Sequence, residues 1–298
     1  MRESGPRQDS LSRHICNLPC PTPGSRGVDD VAENLLRCDD LVTPEKISET
    51  KEYLGRALDW IRNNITNREL RAAFMGQAFS NEDLNDMDMY IGLINKESRF
   101  RVDAVSRAGA RGLMQIMRPA EADVINWFPS VESAFGRGAY ENDPVANCVI
   151  GILYYHICID RYAAVSDFGE LRNNREERKL LGTMIYNGGF GTVRGLWRMF
   201  DPAPTSFEDF ENKLGEAFLK QLGAEWDSFH RVVKDDVHQV CYREHPAITE
   251  YLRFYRENTA KLEQRFLVNG KDGGTTIRKV GEMLRYVRVL EALEEAKF

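Results

Sequence analysis

No apolar run in this 298-residue chain reaches the roughly 20 residues that a membrane-spanning helix needs. The N-terminal stretch MRESGPRQDSLSRHICNLPCPTPGSRG has no apolar h-region, so a Sec signal peptide is not expected there. An excess of basic residues is also missing. The formal net charge is -6, which argues against a nucleic-acid partner. His156, His230, His238 and His245 are not at metal-ligand spacing and no H-E-x-x-H occurs, so neither a metal nor another cofactor is expected. The six cysteines give no disulfide framework. Cys16 and Cys20 form a C-x3-C with no second ligand pair, and Cys148 and Cys158 would lie about 15 Å apart on one helix, too far to bridge. Mostly free thiols are expected. Strand signals are nearly absent, and so are internal repeats and long low-complexity tracts.

What is present is helical periodicity on an ordinary globular composition, 42% hydrophobic and 29% charged. Residues 1–28, rich in Pro, Gly, Ser and Arg, read as a disordered head. Residues 29–79 read as an N-terminal helical segment. In it Thr43 is an N-cap, Pro44 stands at N1, and Ile47, Leu54, Leu58 and Ile61 keep helical spacing. Residues 80–298 read as one further domain. It opens with a capping-box-like Ser80-x-x-Asp83 and a stripe of Leu84, Met87, Ile91 and Ile94. NDPVANCVIGILYYHICIDRYAA predicts a buried helix capped by Asn142 or Asp143. Gly188, Gly189 and Gly191 break the next one. Residues 201–268 predict more helices, with a capping box at Thr205-x-x-Glu208 and a stripe at Trp226, Phe229, Val233 and Val237. NGKDGG predicts a turn, and TTIRKVGEMLRYVRVLEALEEA a last amphipathic helix. The fold class is mainly α, with helices packed around a central one that is apolar nearly all round.

One stretch departs from plain helix building. In GLINKESRFRVDAVSRAGARGLMQIM, Glu97 falls in the same arc as Tyr90, Leu93 and Ile94. A carboxylate on that arc is partly desolvated, and its charged form is disfavoured. Spacing alone fits two readings: a general acid kept protonated near neutral pH, or a helix-terminal glutamate that turns to water.

The residues that follow resemble the signature of the lytic transglycosylases, the soluble-lytic-transglycosylase-like branch of the lysozyme superfamily. The matching positions are Glu97-Ser98, Phe100, Ala104, Ser106, Gly109-Ala110, Gly112-Leu113-Met114-Gln115 and Met117. Two further landmarks follow in order: Ile185-Tyr186-Asn187-Gly188-Gly189, and Glu282 with Tyr286-Val287. The resemblance covers about residues 84–290. It departs from the family in Ile185, where alanine is usual, and in the extra segment between the last two landmarks.

The resemblance implies a lysozyme-like helical domain and cleavage of the β-1,4 bond between N-acetylmuramic acid and N-acetylglucosamine without water. It implies that Glu97 is the catalytic acid, with Tyr186 hydrogen-bonding and orienting it. Ser106 and Gln115 would bind acetamido or hydroxyl groups, Met114 and Met117 would pack against the sugar, and Asn187 and Glu282 would line the groove. Gly109, Gly112 and Gly188 would let backbone approach the glycan. The expected partner is the peptidoglycan strand, acted on in the cell envelope or periplasm. The basic head and the extra segment add the expectation of a secretion-machine or phage-particle partner. Two alternatives stand beside this reading. One is a hydrolytic muramidase of the goose-type-lysozyme kind, which needs a second carboxylate such as Asp103 to activate water. The other is a peptidoglycan-binding module without activity.

Overall fold

The computed structural model describes residues 43–74, 86–222 and 260–295, which are mainly helical. The expected disordered head, the Ser80-x-x-Asp83 box and the Trp226 to Val237 stripe lie outside the described residues.

Helix α1 (Pro44–Asn64) starts where the sequence places it, with the Thr43 side chain accepting from Lys46 N. It is followed by α2 (Asn67–Ala73), closed by a capping box in which Thr66 and Glu69 bond reciprocally. Helix α3 (Met87–Ser98) is capped by Asp86, and it carries Glu97 in its last turn. After a loop come α4 (Arg118–Trp127) and α5 (Pro129–Phe135). Helix α6 (Pro144–Ile157) is the central one. It is buried along nearly its whole length, and Asp143 caps it by accepting from Val145 N and Ala146 N. A π-turn, Cys158–Tyr162, and a 3-10 segment, Ser166–Asn173, lead into α7 (Arg175–Gly188). Gly189, at φ 82°, makes the break to α8 (Phe190–Trp197). Helix α9 (Phe207–Leu222), strands β1 (Arg265–Val268) and β2 (Lys271–Thr276), and α10 (Ile277–Glu295) complete the described chain.

One continuous core runs from Leu54 on α1 to Leu290 on α10, so the N-terminal helices share the core of the rest. Helices α1, α4 and α7 pack on α6, while α10 packs on α3, α7 and α9. The contact of α7 with α10 is close because a Cβ at Gly188 would stand 2.0 Å from Met283 Sδ.

Two expectations in the segment 201–268 are corrected. Its end is strand: β1 pairs antiparallel with β2 around a turn at Asn269 and Gly270, both at positive φ. The turn expected over NGKDGG is therefore only its first two residues, because Lys271–Gly274 already belong to β2. The helix cap is also displaced by one residue. Asp209 N bonds Ser206 Oγ while the Asp209 carboxylate accepts from Thr205 N, so Asp209 takes the part given to Glu208. Cys148 and Cys158 are both buried free thiols.

A buried polar network fixes how α3 sits on the core. The Tyr90 hydroxyl and His156 Nε2 are 2.8 Å apart, His156 Nδ1 lies 3.6 Å from Asp160, and Arg178 lies 3.4 Å from Asp160. Tyr90 and Glu97 are seven residues apart, two helical turns, and so share a face of α3. Anchoring Tyr90 therefore sets the rotation of the helix that carries Glu97.

Candidate active site

Helix α3 ends at Ser98, one residue after Glu97. The Ser98 hydroxyl donates to Ile94 O, and Arg99 and Phe100 turn the chain at φ 54° and 62°. Two consecutive non-glycine residues in the left-handed region cost free energy, of order 1 kcal/mol or more each. The buried Phe100 ring and the bonds of Arg101 N and Nε to Ser98 O hold that bend.

The following loop is tied to itself and to the central helix. Arg111 and Ile116 exchange both backbone bonds, and Gly112 N donates to Ala104 O. Buried Asn147 on α6 clamps the loop from below. Its Oδ1 accepts from Met114 N at 2.9 Å and its Nδ2 donates to Arg111 O and Tyr140 O. Nothing in the sequence pointed to Asn147 beyond a lone amide in an apolar helix, which must find partners when buried.

Glu97 lies in a pocket of about 190 Å³ lined by Lys96, Glu97, Asn187, Glu282, Arg285 and Tyr286. Its carboxyl oxygen accepts a 2.5 Å hydrogen bond from the Tyr286 hydroxyl. The residue keeps some exposure, yet protein packs round its carboxyl. Burial pushes that carboxyl above the usual glutamate range, while the Tyr286 hydroxyl and the Lys96 and Lys279 ammonium groups pull the other way. Burial, with the negative charge of Glu97 beside it, holds the Tyr286 phenol well above its ordinary value, so it stays a donor. Burial and the neighbouring Arg285 guanidinium bring Lys96 down to about 7.

Asn187 and Glu282 line the same pocket as Glu97, and Lys279 contacts both. The Lys279 ammonium donates to Asn187 O at 3.0 Å and to its Oδ1 at 3.3 Å, and lies 3.9 Å from Glu282. Met117 is 41% exposed at the start of α4. Gln115, at φ 49°, donates from Nε2 to Ala104 O and Gly112 O, which leaves its Oε1 for a donor from outside. Ser106 Oγ accepts from Ala110 N at 2.9 Å and so braces the loop turn.

Three expectations are corrected. Tyr186 does not bond Glu97; its hydroxyl donates to Met114 O at 2.7 Å, and Tyr286 takes the expected place. Met114 cannot touch a sugar with its thioether, because the side chain is 0% exposed and packed on Gly151 of α6. Gly112 and Gly188 make room for the Asn147 and Met283 side chains rather than for a glycan. Lys96, Lys279, Arg285 and the role of Tyr286 were not anticipated. The available signal was the family spacing of Tyr286 after Glu282.

Among the described residues no cluster of His, Cys, Asp and Glu suits a metal ion, and no single helix is long and apolar enough to cross a membrane. Residues 77–199 match the family model of the transglycosylase SLT domain. Two curated proteins are similar over 209 residues at 24% identity. They are the membrane-bound lytic murein transglycosylases C of Klebsiella pneumoniae strain 342 and of K. pneumoniae subsp. pneumoniae strain ATCC 700721 / MGH 78578. The alignment covers 70% of this chain and 50% of each of theirs, so the chain spans about half the length of the curated relatives it matches. No solved structure gives a significant match. Residues 77–199, which carry Glu97 on a mainly helical architecture, are thus similar to the transglycosylase SLT domain.

Proposed function

We propose that this chain cleaves peptidoglycan non-hydrolytically, between N-acetylmuramic acid and N-acetylglucosamine. Glu97 protonates the glycosidic oxygen as the bond breaks. Its carboxylate then takes the proton of the muramoyl 6-hydroxyl, which attacks C1 of its own ring and leaves a 1,6-anhydromuramoyl end. The proton lent to the leaving oxygen is thereby recovered and no water enters. The nucleophile is already tethered to the reacting ring, so its high effective concentration replaces a second catalytic carboxylate. The substrate 2-acetamido group can stabilise the cationic centre meanwhile.

The observation that carries this reading is the Glu97 carboxyl, desolvated towards its acid form and oriented by Tyr286. Asn187 and Glu282, organised by Lys279, serve as polar groove lining. Met117 offers an exposed thioether to a sugar face, and Gln115 Oε1 an acceptor to an acetamido N–H. A hydrolytic muramidase would need a carboxylate across the groove to activate water. Asp103 is solvent-exposed on the loop, and Glu282 faces Lys279. The place of action is the cell envelope, in keeping with the membrane-bound relatives. A secretion-machine or phage-particle partner is the finer part of this proposal, and it rests on the extra segment between the landmarks.

Digestion in heavy-oxygen water tests the reaction type. A transglycosylase leaves new muramoyl ends free of the label. A hydrolase places heavy oxygen on C1 of each new reducing end, and that result would send the reading to the muramidase.

A further inference from the structure

The Lys96 ammonium shares the pocket of the Glu97 carboxyl, and the proposed proton transfers do not use it. A cation in the last turn of α3 suits the helix dipole. That alone does not require the side chain to line this pocket. Among the described residues Lys96 makes no hydrogen bond and no ion pair, while the other groups of the pocket are engaged. Glu97 is held by Tyr286. Glu282 faces Lys279, which also bonds Asn187. When Glu97 is in the acid form that the reaction starts from, it offers Lys96 no charge. The Arg285 guanidinium, only 8% exposed, also lines the pocket and its charge acts on Lys96. Two cations in one partly desolvated pocket repel, and an anion entering beside Lys96 would offset that repulsion.

The muramoyl residue carries such an anion. Its 3-O-lactyl group ends in a carboxyl, either free or amide-linked to a stem peptide that has carboxylates of its own. We propose that Lys96, together with Arg285, binds a carboxylate of the muramoyl residue and makes cleavage selective for strands that carry it. The inference rests on the peptidoglycan reading above and names the feature of the substrate that this pocket reads.

The test uses the full chain on soluble glycan strands of two kinds: peptide-stripped strands with free lactyl carboxylates, and peptide-bearing strands. Each is assayed before and after its carboxylates are converted to methylamides. The wild type should show a kcat/KM about tenfold higher on charged strands than on their methylamides, the scale of one hydrogen bond between charged groups. In Lys96→Met that ratio should collapse towards one, and in Lys96→Arg it should return. A preference among stripped strands assigns the lactyl carboxylate, and one confined to peptide-bearing strands assigns the stem peptide. A ratio near one in the wild type overturns the inference, as does an unchanged ratio in Lys96→Met, and either leaves the transglycosylase reading intact. Cleavage of none of the strands by the wild type would overturn both.

Discussion

Tyr286 and Glu97 lie 189 residues apart in the chain and meet through a 2.5 Å hydrogen bond between phenol and carboxyl. The bond joins α10 to the last turn of α3, two helices that pack directly on one another. It orients the carboxyl and favours its charged form, while burial favours the acid form more. Both protonation states are thus supported, as the proposed giving and retaking of one proton requires.

Tyr286→Phe removes the orienting donor and keeps the ring. If Tyr286 orients the acid, kcat falls by about ten- to a hundredfold, the range expected for losing one hydrogen bond to a charged group. The loss of that bond also raises the Glu97 pKa, so the falling limb of the pH–rate profile moves to higher pH. Tyr186→Phe loses its bond to Met114 O instead. It should lower thermal stability, by about 1 kcal/mol, and leave that limb nearly in place. A limb that moves in Tyr186→Phe and stays in Tyr286→Phe would reverse the assignment.

The sign of the pH dependence of stability follows from Glu97. Its folded pKa is raised above the unfolded value near 4.5, chiefly by burial. The folded state therefore holds the proton more tightly, and this contribution is fully present below the unfolded pKa. It is lost as pH rises through the folded pKa, where burying the carboxylate becomes costly. Glu97→Gln has no such charge and can still accept from Tyr286. Its melting temperature relative to the wild type should climb between pH 4 and neutrality. A difference that is flat with pH would mean that the Glu97 carboxyl is solvated.

The two methionines of the loop should separate cleanly. Met114→Ala empties a fully buried site against Gly151 and should cost about 2–5 kcal/mol, whereas Met114→Leu should cost less than about 1.5. Met117→Ala at an exposed position should change stability by less than about 0.5 kcal/mol. Its effect should appear in KM for glycan strands. Chemical denaturation and steady-state kinetics on the three variants check both halves.

Asn147 should matter to both fold and activity. Its replacement by Ala strands Met114 N and Tyr140 O and takes one of two donors from Arg111 O, which keeps its bond from Ile116 N. A loss of roughly 3 kcal/mol is expected, since each abandoned buried group costs about 1–3. A near-neutral Asn147→Ala in a denaturation curve would show that the loop does not depend on this clamp.

Much of the fold was legible because its signals are local. The Thr43 and Asp143 caps, the apolar α6 and the glycine break at Gly189 each depend on a few adjacent residues, and each is found. The β1–β2 hairpin was missed because both strands are short and neither shows alternation in its sequence: in β1 the exposed Leu267 stands between the buried Phe266 and Val268, and β2 is polar with two glycines. The displaced cap at Ser206 shows how little separates neighbouring choices when Thr, Ser, Glu and Asp stand in a row.

At the site, Glu97 was legible from its arc and from the family spacing. Which tyrosine meets it was not. Both Tyr186 and Tyr286 are brought near by long-range packing, and periodicity does not carry the direction of a hydroxyl across helices. The same limit applies to Met114 and Met117. They are three residues apart in one loop, and the bend at Gln115 sends one into the core and leaves the other exposed.

The most direct measurement is the mass of soluble fragments released from purified peptidoglycan by the native chain and by Glu97→Gln. A transglycosylase with Glu97 as its acid releases fragments one water lighter than hydrolytic products from the native chain, and none from the variant. Reducing-end fragments from the native chain, or anhydro fragments that persist in Glu97→Gln, would contradict it.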